Sequence, residues 1–184
     1  MIKQSQKQNK LNLLLKSPEN LFHTQDLFLL WGCNNKNTLY TTIKRYVKKG
    51  VLVRIHKGFY SKYPLDKLSL VNLGMGFLHS FSYLSTETIL AQNGIISQPI
   101  LYITLISDRS KKFNIKGASF ICRQLADKFL FNKTGIVEKD GINCATAERA
   151  VADMLYFNPN YHFDASNLIN WDKVKQIQKQ IGYV

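Results

Sequence analysis

Residues Asn34–Tyr60 constrain this chain more than any other stretch. They read NNKNTLYTTIKRYVKKG and then VLVRIHKGFY. The first part has the period of a helix. At ~100° per residue, Leu39, Ile43, Tyr46 and Val47 fall within about a 100° stripe. Asn37, Thr41, Lys44, Arg45 and Lys48 gather on the opposite side. Gly50 ends the helix. Val51–Ile55 and Gly58–Ser61 then alternate at period two around His56-Lys57-Gly58, the pattern of a short hairpin. A solvated polar face is what most surface helices carry. Here the face has no acidic residue, and a basic hairpin follows at once.

The residues ahead of this stretch read as two further helices. Leu11, Leu13, Leu14 and Leu15 predict a short helix that stops before Pro18, because proline disfavours helical geometry in its predecessor. Thr24 is the expected N-cap of the second, with Asp26 near its positive end. Leu27, Leu30 and Trp31 form its buried stripe, and Gly32 closes it. Asn34 or Asn35 then caps the third helix, Lys36–Lys49. Two helices separated by a short glycine-containing turn are the mark of a helix-turn-helix, and the hairpin makes it a winged one. Met1–Asn9 is a polar lead without periodicity.

Charge supports a division of the chain. The formal net charge is +13 over 184 residues. Before Pro64 there are twelve Lys and Arg against Glu19 and Asp26; from Pro64 onward there are thirteen against ten acids. The excess sits in the first third, which points to a polyanion partner: DNA, RNA or an acidic membrane surface. Lys62–Asp66 is the expected boundary, giving a basic domain over residues 1–63 and a second domain over 64–184. No apolar run reaches the ~18 residues of a membrane span, and the N-terminus lacks an apolar signal region, so a cytoplasmic protein is expected. Cys33, Cys122 and Cys144 make no zinc pattern and read as buried thiols.

In the second domain, Lys67–Leu78 reads as a helix despite Gly74 and Gly76. A short helix capped by Ser85 runs to Gly94. Ile100–Ile106 is apolar on both faces, as a central strand is. Asp108–Lys112 is a polar turn, and Ala118–Gln124 alternates like a strand. Asp140-Gly141 joins the runs Gly135–Glu138 and Ile142–Ala145 as a hairpin. Thr146 caps a helix through Tyr156, with Ala150, Val151, Met154 and Leu155 inward. Asn158–Ser166 is a loop. A closing helix, Trp171–Ile181, shows Trp171, Val174, Ile177 and Ile181 on one face. The expected fold is α+β: a winged helix-turn-helix, then a small mixed domain of an antiparallel-type sheet with flanking helices.

The order helix–turn–helix–wing, with GVLVRIHKGFY as the wing, resembles the N-terminal reader of AbiEi-type antitoxins from type IV toxin–antitoxin and phage-defence systems. The segments SYLSTETILAQNG and TAERAVADMLY resemble the antitoxin domain that follows it; Ala147 stands where that family often has proline. The resemblance covers most of residues 20–184, and the chain is short beside many members. It implies a transcriptional autorepressor that binds inverted repeats of double-stranded DNA in its own promoter. It implies also an antitoxin that counteracts a nucleotidyltransferase-like AbiEii toxin without stably binding it.

In a helix-turn-helix the start of the second motif helix reaches base edges. That makes Asn35, Lys36, Asn37, Tyr40, Thr41 and Lys44 the readout candidates, with Asn37 first because asparagine pairs bidentately with adenine. Arg45, Lys48 and Lys49 are phosphate contacts, and Arg54, His56 and Lys57 lie on the wing. No catalytic set, cofactor site or metal site is expected. The four histidines (His23, His56, His79, His162) are scattered. Asp108, Asp127, Glu138 and Asp140, near Lys128 and Lys139, would have to converge for a metal-dependent nuclease, and they read instead as turn charges. Arg149 and Asp153, four residues apart, can pair, for only ~0.3–0.5 kcal/mol if exposed. A stand-alone winged-helix regulator without a toxin remains the alternative.

Overall fold

The computed structural model describes residues 9–184. The protein is α+β, with eight α-helices and two sheets among the described residues. The chain forms two compact units that divide between Ser69 and Leu70, rather than after Tyr63. Lys62 is tied back by its amide to Asn20 O at 3.1 Å and by its Nζ to Ser17 O at 2.6 Å. A 3-10 turn over Leu65–Lys67 then precedes the second unit.

The first unit runs α1 (Lys10–Lys16), β1 (Leu21–His23), α2 (Thr24–Leu30), α3 (Lys36–Lys48), β2 (Val53–His56) and β3 (Phe59–Ser61). The polar lead lies outside the described residues except for Asn9, whose side chain accepts from the Leu11 amide and caps α1. The three strands are antiparallel in the order β1-β3-β2. Strand β1 is absent from the sequence reading, which opens the second helix at a Thr24 cap with no strand ahead of it. Three residues are too few to show a period, and only the pairing with Phe59–Ser61 makes them a strand. Thr24 is accordingly not the cap of α2 but its first residue. The N-cap is His23, whose amide donates to the Asp26 carboxylate at 2.6 Å. Leu14, Phe22, Leu27, Trp31, Leu39, Ile43, Tyr46 and Leu52 fill one core.

The second unit contains α4 (Leu70–Leu78), β4 (Ser82–Leu84), α5 (Thr86–Gln92), β5 (Ile103–Ser107), β6 (Lys111–Ile115), β7 (Ala118–Gln124), α6 (Asp127–Leu130), β8 (Ile136–Lys139), β9 (Ile142–Ala145), α7 (Ala147–Phe157) and α8 (Trp171–Ile181). Its sheet has the order β6-β7-β5-β4-β9-β8. The sheet is mixed: β5 runs parallel to β7 and β4 parallel to β9, while the other three pairs are antiparallel. That corrects the antiparallel-type sheet expected from the hairpin signals, which report neighbours in sequence and not crossovers. β5 is central, and Leu105 and Ile106 are fully buried. Asp140 and Gly141 have φ of 50° and 73°, as the two-residue turn joining Lys139 to Ile142 requires.

Successive strand residues face opposite sides. Phe120 meets α4 at Gly74, whereas Thr104, on the other face, hydrogen-bonds Thr88 of α5. The two helices therefore cover opposite faces of the sheet. A Cβ on Gly74 would overlap the Phe120 ring, so this glycine sets the closeness of α4 to the sheet.

The pairing expected within α7 forms, and it forms in the interior of the unit. Arg149 and Asp153 are fully buried and not at the surface. Arg149 donates to the Asn132 and Thr134 carbonyls and to Tyr83 Oη. Asp153 accepts from Arg149, Tyr83, Ser85 and Tyr183. Ser85 is the N-cap residue of α5, but its hydroxyl is spent on Asp153 and not on capping the helix. Helical spacing places Arg149 and Asp153 on one side of α7; only the packing of α5 and α8 against it takes both out of water.

Candidate functional site

The site builds from the turn between α2 and α3. Gly32 adopts φ 53°, and Cys33 N returns to Phe28 O at 3.0 Å, so the chain reverses within a few residues. Asn35 then caps α3, its side chain accepting from the Asn37 amide at 2.7 Å. The inner side of α3 is Leu39, Thr42, Ile43 and Tyr46. Trp31 meets Tyr46 edge-on at 5.5 Å, and its Nε1 donates to Lys10 O at 3.0 Å. Val47 packs half-buried at the margin. Thr42 is an addition to the expected stripe: its hydroxyl donates to Thr38 O at 2.8 Å, which lets a polar residue sit inside.

The hairpin is held by different contacts. Phe59 is fully buried and stacks on His23 at 4.7 Å. The Gly58 carbonyl accepts from the Thr24 amide at 2.9 Å and hydroxyl at 3.3 Å, which pins the turn to the start of α2. A bulge between Arg54 and His56 re-aims β2 before the turn.

The sequence-derived residues lie on the outside of this frame. Asn35, Lys36, Asn37, Tyr40, Thr41, Lys44, Arg45, Lys48 and Lys49 are all exposed on or beside α3. Arg54, His56 and Lys57 are exposed on the hairpin. From Lys36 to Ser61 there are seven Lys and Arg and no Asp or Glu. Tyr40 is 54% exposed, a large aromatic left outside.

Sequence reasoning missed one part of this unit. An open groove of about 800 Å³ flanks α3 on the side toward α1, lined by Asn37, Thr41 and Arg45 together with Asn9, Lys10 and Thr38. The Lys10 ammonium lies 5.8 Å over the Trp31 ring. Thr38 and Thr41 share a helical side at spacing three, a signal available in the sequence; the approach of α1 was not.

The other flagged residues do not assemble. Asp108 is held by Arg109 through two contacts of 2.8 Å and by the hydroxyls of Ser80 and Ser107. Hydrogen bonding to the Arg109 guanidinium holds its carboxyl well below the usual carboxylate range. Asp127 sits in the first turn of α6, Glu138 on β8, and Asp140 in the turn that follows. Among the described residues no three His, Cys, Asp or Glu side chains group as metal ligands. The three cysteines are free and buried, and burial pushes the Cys122 thiol up to about 12. No helix among the described residues is long and apolar enough to cross a membrane.

No family model matches this chain, and no curated protein matches it. Among solved structures it is similar to the crystal structure of the RV2827C protein from Mycobacterium tuberculosis. The TM-score is 0.52 at 12% identity, over 92% of this chain and 69% of that one. At that identity the likeness is one of fold.

Proposed function

We propose that the protein is an AbiEi-type antitoxin and autorepressor. In this reading its first unit is a winged helix-turn-helix that binds inverted repeats of double-stranded DNA in its own promoter. The observation that carries the reading is that α3 and the β2–β3 hairpin directly after it expose seven cations and carry no acid. Three helices, a glycine turn and a three-strand sheet in the order α1-β1-α2-α3-β2-β3 suit a winged reader. In that frame the Asn35–Lys44 end of α3 enters the major groove, Arg45, Lys48 and Lys49 hold phosphates, and Arg54, His56 and Lys57 reach the neighbouring backbone. The antitoxin half of the proposal rests on the resemblance of the second unit, with an AbiEii-type toxin as functional partner.

Footprinting of the full chain on the DNA upstream of its gene tests the reader. Protection of two repeats on one face of the duplex is expected. Binding of upstream and unrelated DNA with equal affinity overturns it. Rescue of toxin-arrested growth by the full chain tests the second half separately.

A further inference from the structure

The second unit carries a basic surface of its own, and its geometry differs from that of the first. From Arg109 to Ala126 there are five Lys and Arg and no Asp or Glu, whereas the unit elsewhere is near neutral. This segment is the β6–β7 hairpin. β6 is the terminal strand of its sheet, and among the described residues no strand pairs with its outer edge. Arg109 is neutralised by Asp108, and Arg123 is ion-paired with Glu87. The charges left to a partner are therefore Lys111, Lys112 and Lys116, all exposed.

These lysines are distributed over both faces of the edge. Lys111 lies opposite Cys122 in the register, and its ammonium sits 4.2 Å over the Phe77 ring on the face that α4 covers. Lys112 lies opposite Ile121 on the other face. There an open groove of about 490 Å³ runs past Ser110, Gln124 and Phe157. Lys116 closes the strand at the turn, with φ 53°.

We propose that the outer edge of β6 is a docking strand for an extended acidic segment of a partner polypeptide. An added strand uses the free backbone N–H and C=O groups of the edge for affinity and alternate side chains for specificity. Its side chains would alternate between the two faces, and each face meets a lysine. A nucleic acid matches the charge but cannot use the backbone ladder, which is why a polypeptide is the better fit. Lysines on an edge also discourage pairing with another chain; that role requires no acidic ligand, and the following experiment separates the two. The inference is independent of the DNA reading of the first unit.

The test uses the full chain and a fluorescent (Asp-Val)6 peptide. An (Asp-Pro)6 peptide of equal charge, which lacks the alternate amide donors, and a 20-base-pair duplex serve as competitors. Saturable anisotropy change with (Asp-Val)6 is expected, with increased amide-exchange protection confined to Lys111–Ile115. Binding should weaken about tenfold or more in Lys112→Glu with Lys116→Glu, equivalent to about 1.4 kcal/mol. No saturable binding overturns the proposal. So does equal binding of the proline peptide, which marks a merely cationic surface, or displacement by duplex DNA that the double variant abolishes, which marks a nucleic-acid surface.

Discussion

Nε of Arg149 donates to Oδ1 of Asp153 across 2.8 Å, one turn apart on α7, with both side chains fully buried. Two charges out of water are tolerated because every other hydrogen-bonding need is met. The guanidinium has two carbonyls and the Tyr83 and Tyr183 hydroxyls, and the carboxylate has three hydroxyl donors, the shortest from Tyr183 at 2.6 Å. The network ties α7 to β4, to the loop before β8 and to Tyr183, the second residue after α8.

Removing one member should therefore cost far more than an exposed pair. Arg149→Met or Asp153→Leu alone is expected to destabilise the second unit by about 3–5 kcal/mol, since each strands a buried charge. The double variant should recover part of that loss. Tyr183→Phe removes a hydroxyl that donates to Asp153 and accepts from Arg149, and should cost about 1.5–3 kcal/mol, the range for bonds to a charged group. Urea unfolding followed by circular dichroism measures all four.

On α3, Lys44→Ala with Lys48→Ala should weaken binding to every DNA sequence alike. The slope of log affinity against log salt should flatten by about 1.8, two phosphates' worth. Asn37→Ala should instead narrow the gap between operator and unrelated DNA by about 1–3 kcal/mol. Filter binding across a salt series distinguishes the two patterns. An unchanged slope in the lysine variant removes this helix from the interface.

Gly74→Ala would improve helix propensity at that site by ~1 kcal/mol if α4 stood alone. The fold reverses the sign. The new Cβ overlaps the Phe120 ring, and Phe120 is buried and stacked on Phe113 at 4.9 Å. Net destabilisation of up to about 2 kcal/mol is expected, from an overpacking cost of roughly 1–3 kcal/mol less the propensity gain of ~1 kcal/mol. It should appear as a lower thermal midpoint in a calorimetric scan.

Asp108 supplies a pH dependence of defined sign. Its carboxyl is held low chiefly by Arg109, with Ser80 and Ser107 adding to the effect. A depressed acid contributes stability above its unfolded value of about 4, and loses that contribution as pH falls through the folded value. Asp108→Asn should thus be less stable than the native chain at pH 7. The gap should narrow progressively below about pH 4 in urea titrations; a gap as large at pH 2 as at pH 7 excludes the linkage.

Much of the chain could be read before its fold. α1, α3, α7 and α8 follow from apolar spacing and end signals within each segment, and Asp140-Gly141 fixes its own hairpin. Those features depend on interactions within a few residues, so local sequence is enough to specify them. The exposed cationic set on α3 and the hairpin was legible for the same reason: a charge with no partner in its own helix stays in water. What only the tertiary structure decided depends on residues far apart. Leu21–His23 became a strand because Phe59–Ser61 lies beside it. β5 and β7 became parallel neighbours through a crossover that no turn residue announces. The spacing of Arg149 and Asp153 allowed a pair and left its exposure open; the packing of α5 and α8 against α7 decided it. Spacing along a helix tells which residues share a side; it does not tell whether that side meets water, and the energy of a charge depends on the second fact.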